Sequence, residues 1–180
     1  LCNTTPEAPG VNLMAKVEKP GKLIEDGKVL SLNGSETVTN SVKEIGYPYA
    51  VEFELRTDSV PAIDAILFKG PHSELIANWH NKFSFRRDGY EFVFHDYRMP
   101  AGEWTKIRIE GDVKGTTLFV NGKKAERLEG RTREVYNFKH NRKDQFWYLE
   151  TLIFPLETIG DKYMGFKGEI KNISYRHMEY

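Results

Sequence analysis

The sequence predicts an all-β fold, an antiparallel β-sandwich, and three observations carry that prediction. Short stretches of alternating apolar and polar residues follow one another at close spacing from residue 28 to residue 176. Asp88-Gly89 and Asn121-Gly122 each lie between two such stretches, and both pairs tolerate the left-handed backbone of a two-residue type I′ turn. No stretch sustains a helical period, and aromatic residues make up 13% of the chain, which favours a sandwich over a βαβ fold.

Residues 1–22 contain three prolines and two glycines without a period, which reads as a linker or arm, leaving 23–180 as a single sandwich domain whose strands begin just after Gly27. The expected strands run over 28–32, 49–56, 64–69 and 74–79, then through the hairpin around Asp88-Gly89. They continue over 103–111 and over 116–124, which holds the second turn. Two further alternating stretches, 145–156 and 165–176, close the domain. Segment 125–144, "AERLEGRTREVYNFKHNRKD", is basic and polar and lacks strand patterning, so a long loop with a helical turn is expected there.

The hairpin "SFRRDGYEFVFHDY" places Arg, Asp, Glu and His within a dozen residues, and its turn sorts them. With Asp88 and Gly89 as the whole turn, Arg87 faces Tyr90, Arg86 faces Glu91, Phe85 faces Phe92 and Phe83 faces Phe94. One side then collects four phenylalanines for a buried face. The other collects Arg86, Glu91, Val93, His95 and Tyr97, with Arg86 and Glu91 expected as an exposed ion pair worth about 0–1 kcal/mol.

Composition narrows the function classes. Lys plus Arg and Asp plus Glu both number 26, so no overall field favours nucleic acid or an anionic membrane. No apolar run approaches the roughly 20 residues needed to span a bilayer, so no membrane insertion is expected. Cys2 is the one cysteine and has no internal partner, and a chain starting at Leu1 is expected to be processed or cut from a longer one. There is no Gly-x-Ser-x-Gly elbow, and the five histidines and the loop acids Asp58, Asp64, Asp112 and Asp161 lack metal-ligand spacing, so no cofactor is expected.

Several phrases together resemble the concanavalin A-like and laminin-G-like jelly rolls: "GKVLSLNG" (27–34), "YAVEFELR" (49–56), "WTKIRIEGD" (104–112), "GTTLFVNGKK" (115–124) and "FKGEIKNISYR" (166–176). "AILFKGPHSELIANW", "RRDGYEFVFHDYRMP" and "ETLIFPLETIGDKYMGFKG" are also similar to the accessory modules attached to Bacteroidetes β-N-acetylhexosaminidases of glycoside hydrolase family 20. That resemblance implies a non-catalytic accessory module of a secreted glycan-degrading enzyme, placed outside the cell, in the periplasm or on the cell surface. Its partners would be carbohydrate or the parent enzyme's catalytic domain, which would be a separate barrel of about 250 residues. Some laminin-G-like modules hold calcium between loops, and the resemblance extends that site here without assigning ligands.

Two site readings follow. Concanavalin-like glucanases carry three acids in the pattern E-x-D-x-x-E; the nearest match here is Glu52-Phe53-Glu54, where Arg56 and Thr57 follow and the third acid is missing. Glu52 and Glu54 thus define the alternative, a hydrolase domain. A sugar platform is the positive candidate: if His80 and Asn81 form the turn before the hairpin, Trp79 joins Arg86, Glu91, His95 and Tyr97 on one outward face, extended by Trp147 or Tyr148 from another strand, the alternative being that Trp79 and Tyr97 pack beneath loops or against a neighbouring domain. Rings cover the apolar C–H face of a sugar while planar polar groups meet its hydroxyls. The basic run from Arg131 to Lys143 reads as a solvated loop or a docking surface for the parent enzyme, with an anionic-glycan or nucleic-acid patch as its sharper alternative.

Overall fold

A computed structural model describes residues 22–24, 29–39, 45–148, 150–153 and 156–179. Cys2 and the arm expected over 1–22, apart from Lys22, lie outside the described residues. In chain order the strands are β1 (Lys22–Ile24), β2 (Val29–Asn33), β3 (Thr37–Thr39), β4 (Tyr49–Thr57), β5 (Ala65–Lys69), β6 (Ser73–Ala77), β7 (Phe83–Arg87) and β8 (Tyr90–Val93). They are followed by β9 (Thr105–Gly111), β10 (Gly115–Val120), β11 (Lys123–Glu129), β12 (Arg131–Asn137), β13 (Arg142–Tyr148), β14 (Thr158–Gly160) and β15 (Lys167–His177). Among the described residues no helix is long and apolar enough to cross a membrane.

Two antiparallel sheets make the sandwich. One has seven strands in the order β1-β2-β15-β4-β9-β10-β11, the other six in the order β3-β14-β5-β6-β7-β8, and β12-β13 forms a separate two-stranded ribbon. Alternation decides which side chains face inward: β4 buries Tyr49, Val51, Phe53, Leu55 and Thr57 while Glu52, Glu54 and Arg56 face out, and β9 repeats this with Thr105, Ile107 and Ile109. From the opposite layer, Phe83, Phe85, Phe92 and Phe94 form the expected buried aromatic face. The layers meet ring to ring, with Phe53 5.3 Å from Phe68 and 6.4 Å from Phe83 between centroids.

Both expected turns form, with φ of 50° and 84° at Asp88 and Gly89 and of 49° and 82° at Asn121 and Gly122. The register is also as expected, Arg87 opposite Tyr90 and Phe85 opposite Phe92. The ion pair across it is not. Arg86 turns away from Glu91 to Asp64 (2.6 Å) and Glu74 (3.6 Å), and Glu91 accepts from the Ser84 hydroxyl instead. Facing residues in a ladder share a row, but a long guanidinium follows the stronger field of two carboxylates.

Two strand boundaries also differ from the sequence reading. Segment 125–144 is not a loop: β11 runs on to Glu129, and Arg131–Asn137 pairs with Arg142–Tyr148 as a hairpin. Its strands are exposed or only half-buried on both faces, so no apolar-polar alternation exists for a pattern to detect. The stretch 145–156, read as one strand, leaves the ladder after Tyr148.

There the chain enters the interior. Glu150, Thr151 and Leu152 are buried without a strand partner, and side chains meet their backbone groups. Thr116 donates its hydroxyl to the Glu150 carbonyl (2.9 Å) and accepts from the Leu152 amide (3.3 Å), Tyr49 donates to the Leu152 carbonyl (2.8 Å), and the Ile153 amide donates to the Ser73 hydroxyl (2.9 Å). Tyr47 and Arg87 both donate to the Thr151 hydroxyl, at 2.9 and 2.5 Å. Gly111 makes room: a Cβ there would lie 2.2 Å from the Tyr49 ring, which crosses it on the way to Leu152. Burial holds the Tyr49 phenol well above its usual range, so it stays protonated and keeps donating.

Replacing Tyr49 by Phe keeps the ring and strands the Leu152 carbonyl. Urea unfolding is expected to show a loss of about 1–3 kcal/mol with unchanged slope. Acid sensitivity is a second expectation. Burial alone would raise the Asp112 and Asp161 carboxyls, but hydrogen bonds from Arg127 and the Lys114 and Gly115 amides lower the first, and the Met164 and Tyr163 amides with Lys69 lower the second. Both therefore hold protons less readily folded than unfolded, so their stabilisation is complete above about pH 4 and disappears as pH falls through their folded values. Thermal midpoints are expected to drop in that acid window, and less steeply in Asp112→Asn.

Candidate functional site

The inward face of the β7–β8 hairpin does not end with the core. Phe83 and Phe85 are followed at the same phase by Arg87, and Phe92 is preceded by Tyr90, so the buried aromatic row runs out into solvent at the hairpin tip. The β13 end of the ribbon stands opposite this tip. Between them lies a cleft of about 290 Å³, bounded on one side by Arg87, Asp88, Tyr90 and Phe92 and on the other by Phe146, Trp147 and Tyr148.

Each ring is held in place. Tyr90 meets Tyr148 edge to face at 4.9 Å, and the neighbouring Tyr90 hydroxyl helps to raise the Tyr148 phenol. Trp147 is 61% exposed, and its indole lies against Gly130, where a Cβ would come within 2.8 Å of it. Arg87 is anchored from behind by Thr151 and lies 3.6 Å from the Asp88 carboxylate. Arg133, opposite Phe146 on the same ribbon face as Tyr148, sits 5.3 Å from the centre of the Tyr148 ring. At the ribbon's base Arg131 meets Glu150 at 2.6 Å; burial raises the Glu150 carboxyl, and Arg131 and Arg133 pull it back. The arrangement offers apolar ring faces beside hydrogen-bonding groups, with no pair of converging carboxylates.

The sequence-derived platform divides between different places. Trp147 lies in the cleft, with Tyr148 as expected. Trp79 lies elsewhere, 59% exposed, as one of the two central residues of a turn closed by the Asn81 amide donating to the Asn78 carbonyl; the turn is Trp79-His80, one residue earlier than expected. Its amide donates to Asp64, the carboxylate that also holds Arg86, so these two expected residues share one neighbour. Glu91 faces outward. His95 and Tyr97 lie beyond the end of β8, where alternation no longer sets the phase. His95 is exposed, and Tyr97 stacks on Phe83 at 6.4 Å as part of the interior packing. Arg133 entered only as part of the basic run, and Arg87, Tyr90 and Phe146 were not singled out, although Arg87 and Tyr90, flanking a tight turn at the end of an aromatic row, carried the signal.

Glu52 and Glu54 lie on the outer face of the seven-stranded sheet. Glu52 is 3.8 Å from Arg176, Glu54 accepts from the Asn172 amide, and Arg56 pairs with Glu169 beside them. Neither lines the aromatic cleft. Among the described residues no group of three or more His, Cys, Asp or Glu side chains is placed to hold a metal ion.

No family model matches the chain, and no curated protein matches it in sequence. Solved structures do match in shape. Domain 4 of a GH43 extracellular arabinanase from Geobacillus stearothermophilus, in complex with arabinotriose, superposes with a TM-score of 0.58 at 15% identity, over 95% of this chain and 83% of that one. A Trypanosoma rangeli sialidase in complex with the inhibitor DANA superposes with a TM-score of 0.51 at 10% identity, over 84% of this chain and 26% of the sialidase. At such identities the likeness shows a shared β-sandwich fold and nothing further.

The Tyr148 phenol tests the cleft's geometry. The neighbouring Tyr90 hydroxyl and partial burial hold it above the usual tyrosine value, and Arg133 works against them. Tyr90→Phe is expected to lower the Tyr148 pKa and Arg133→Gln to raise it, read by NMR titration of labelled tyrosine.

Proposed function

We propose that this chain is a non-catalytic carbohydrate-binding module that seats a glycan in the cleft between the β7–β8 tip and the β12–β13 ribbon. The observation that carries this reading is the set of rings, exposed at Tyr90, Phe146 and Trp147 and half-buried at Tyr148, brought together beside Arg87 and Asp88. Aromatic faces stack on the C–H surface of a pyranose or furanose while guanidinium and carboxylate groups meet its hydroxyls. The arabinanase domain supports the reading, because a sandwich of this shape there is bound to arabinotriose.

The cleft's volume sits at the small end of ligand sites, which run from about 300 to 1,000 Å³, so one or two sugar rings make the contact. Affinity in about the millimolar to micromolar range follows, enough to hold an attached enzyme near a polymer. The phrases similar to family 20 accessory modules make a secreted, periplasmic or surface-held β-N-acetylhexosaminidase the parent to look for. Packing of the module on that enzyme's barrel is compatible with the same chain.

Isothermal titration with arabino- and N-acetylglucosaminyl-oligosaccharides tests this. Binding is expected for at least one series, weakened about tenfold or more by Trp147→Ala or Tyr90→Ala and unchanged by Trp79→Ala. Silence across a broad glycan array would overturn the reading. The purified chain is expected to release no product from N-acetylglucosaminide or β-glucan substrates; turnover abolished by Glu52→Gln or Glu54→Gln would restore the hydrolase alternative.

A further inference from the structure

We infer that the glycan taken by this cleft is acidic, with its carboxylate or sulfate group met by Arg133 from the ribbon. The inference rests on the carbohydrate-binding reading and names the ligand's chemistry.

Residues 131–148 hold five Lys or Arg side chains against two acids, although the chain as a whole is neutral. The excess is therefore local, and screening confines its pull to about 8 Å at physiological salt. Both acids of the ribbon are engaged by its own groups: Asp144 pairs with Arg142 at 2.7 Å and accepts from Asn137, and Glu134 pairs with Lys143 at 3.6 Å. Arg131 is taken by Glu150, a carboxylate buried at the ribbon's base. Among the described residues that leaves Arg133 and Lys139 outside any ion pair, Arg133 acting on Glu150 only at longer range.

Their positions separate them. Lys139 is in the loop at the ribbon's far end, whereas Arg133 lies over Tyr148, whose ring lines the cleft. A guanidinium held by an aromatic face keeps its N–H fork for a group with two coplanar oxygens, which a carboxylate or sulfate supplies and a neutral hydroxyl does not. Across the cleft Arg87 adds a second positive charge, and the one acid at that rim, Asp88, already faces it. A bound anion would thus meet cations from both sides while its ring stacks on tyrosine or tryptophan.

The experiment compares matched ligands by isothermal titration of the intact chain: polygalacturonate against its methyl ester, alginate against its propylene glycol ester, and dextran sulfate against dextran. At least one acidic member is expected to bind about tenfold more tightly than its neutral counterpart at low salt, to lose that advantage at high salt, and to lose most of it in Arg133→Gln. The first two pairs report on carboxylate and the third on sulfate. Equal binding within every pair, or an acidic preference untouched by Arg133→Gln, overturns the inference. If neutral members still bind and depend on Trp147, the carbohydrate-binding reading survives that result; if no glycan binds, both fall.

Discussion

The fold depends on a short run, Glu150 to Ile153, buried over its first three residues, that passes between the sheets without belonging to either. A strand in that position would satisfy its backbone through a ladder; here side chains from β4, β6 and β10 do it one group at a time. Each such bond contributes about 1 kcal/mol when made and costs more when one partner is removed, so the arrangement tolerates little change. Gly111 is part of the same solution, since only a residue without Cβ lets the Tyr49 ring cross it.

That run also connects structure to site. Tyr148 lies two residues before Glu150, and Thr151 holds Arg87, so one buried segment places both walls of the cleft. The outer charge lattice has a different role. Glu52, Glu54, Arg56, Glu169 and Arg176 satisfy one another on a solvated face, where an exposed pair adds about 0–1 kcal/mol, against about 3–5 kcal/mol for a buried phenylalanine such as Phe85. Stability comes from the interior, and the surface charges keep the faces wet.

How much was legible in the sequence follows the same division. Where one face is buried and the other wet, alternation reports it: β4, β9, β15 and the phenylalanine row of β7–β8 were readable, as were the two turns with φ above zero at Asn or Asp and Gly. The β12–β13 ribbon has no buried face, so its Arg, Glu, Tyr and Lys residues showed no period and looked like a loop. The expected platform is divided for a related reason. Trp79 and Tyr97 lie past strand ends, where turns reset the phase, whereas Trp147 lies on a different hairpin from the residues it was grouped with. Only three-dimensional closure brings Tyr90 to Tyr148.

Among the described residues the ribbon pairs with neither sheet and so has two bare edges, each a row of amides and carbonyls able to recruit a foreign strand. Two strands alone are marginal in water, which makes the contacts at its base the reason it keeps its shape. Along its length Arg131, Arg133, Glu134, Arg142, Lys143 and Asp144 put charge beside those edges. Charged flanks of this kind disfavour stacking of one copy on the next, and so work against polymerisation through the exposed aromatic rings beside them.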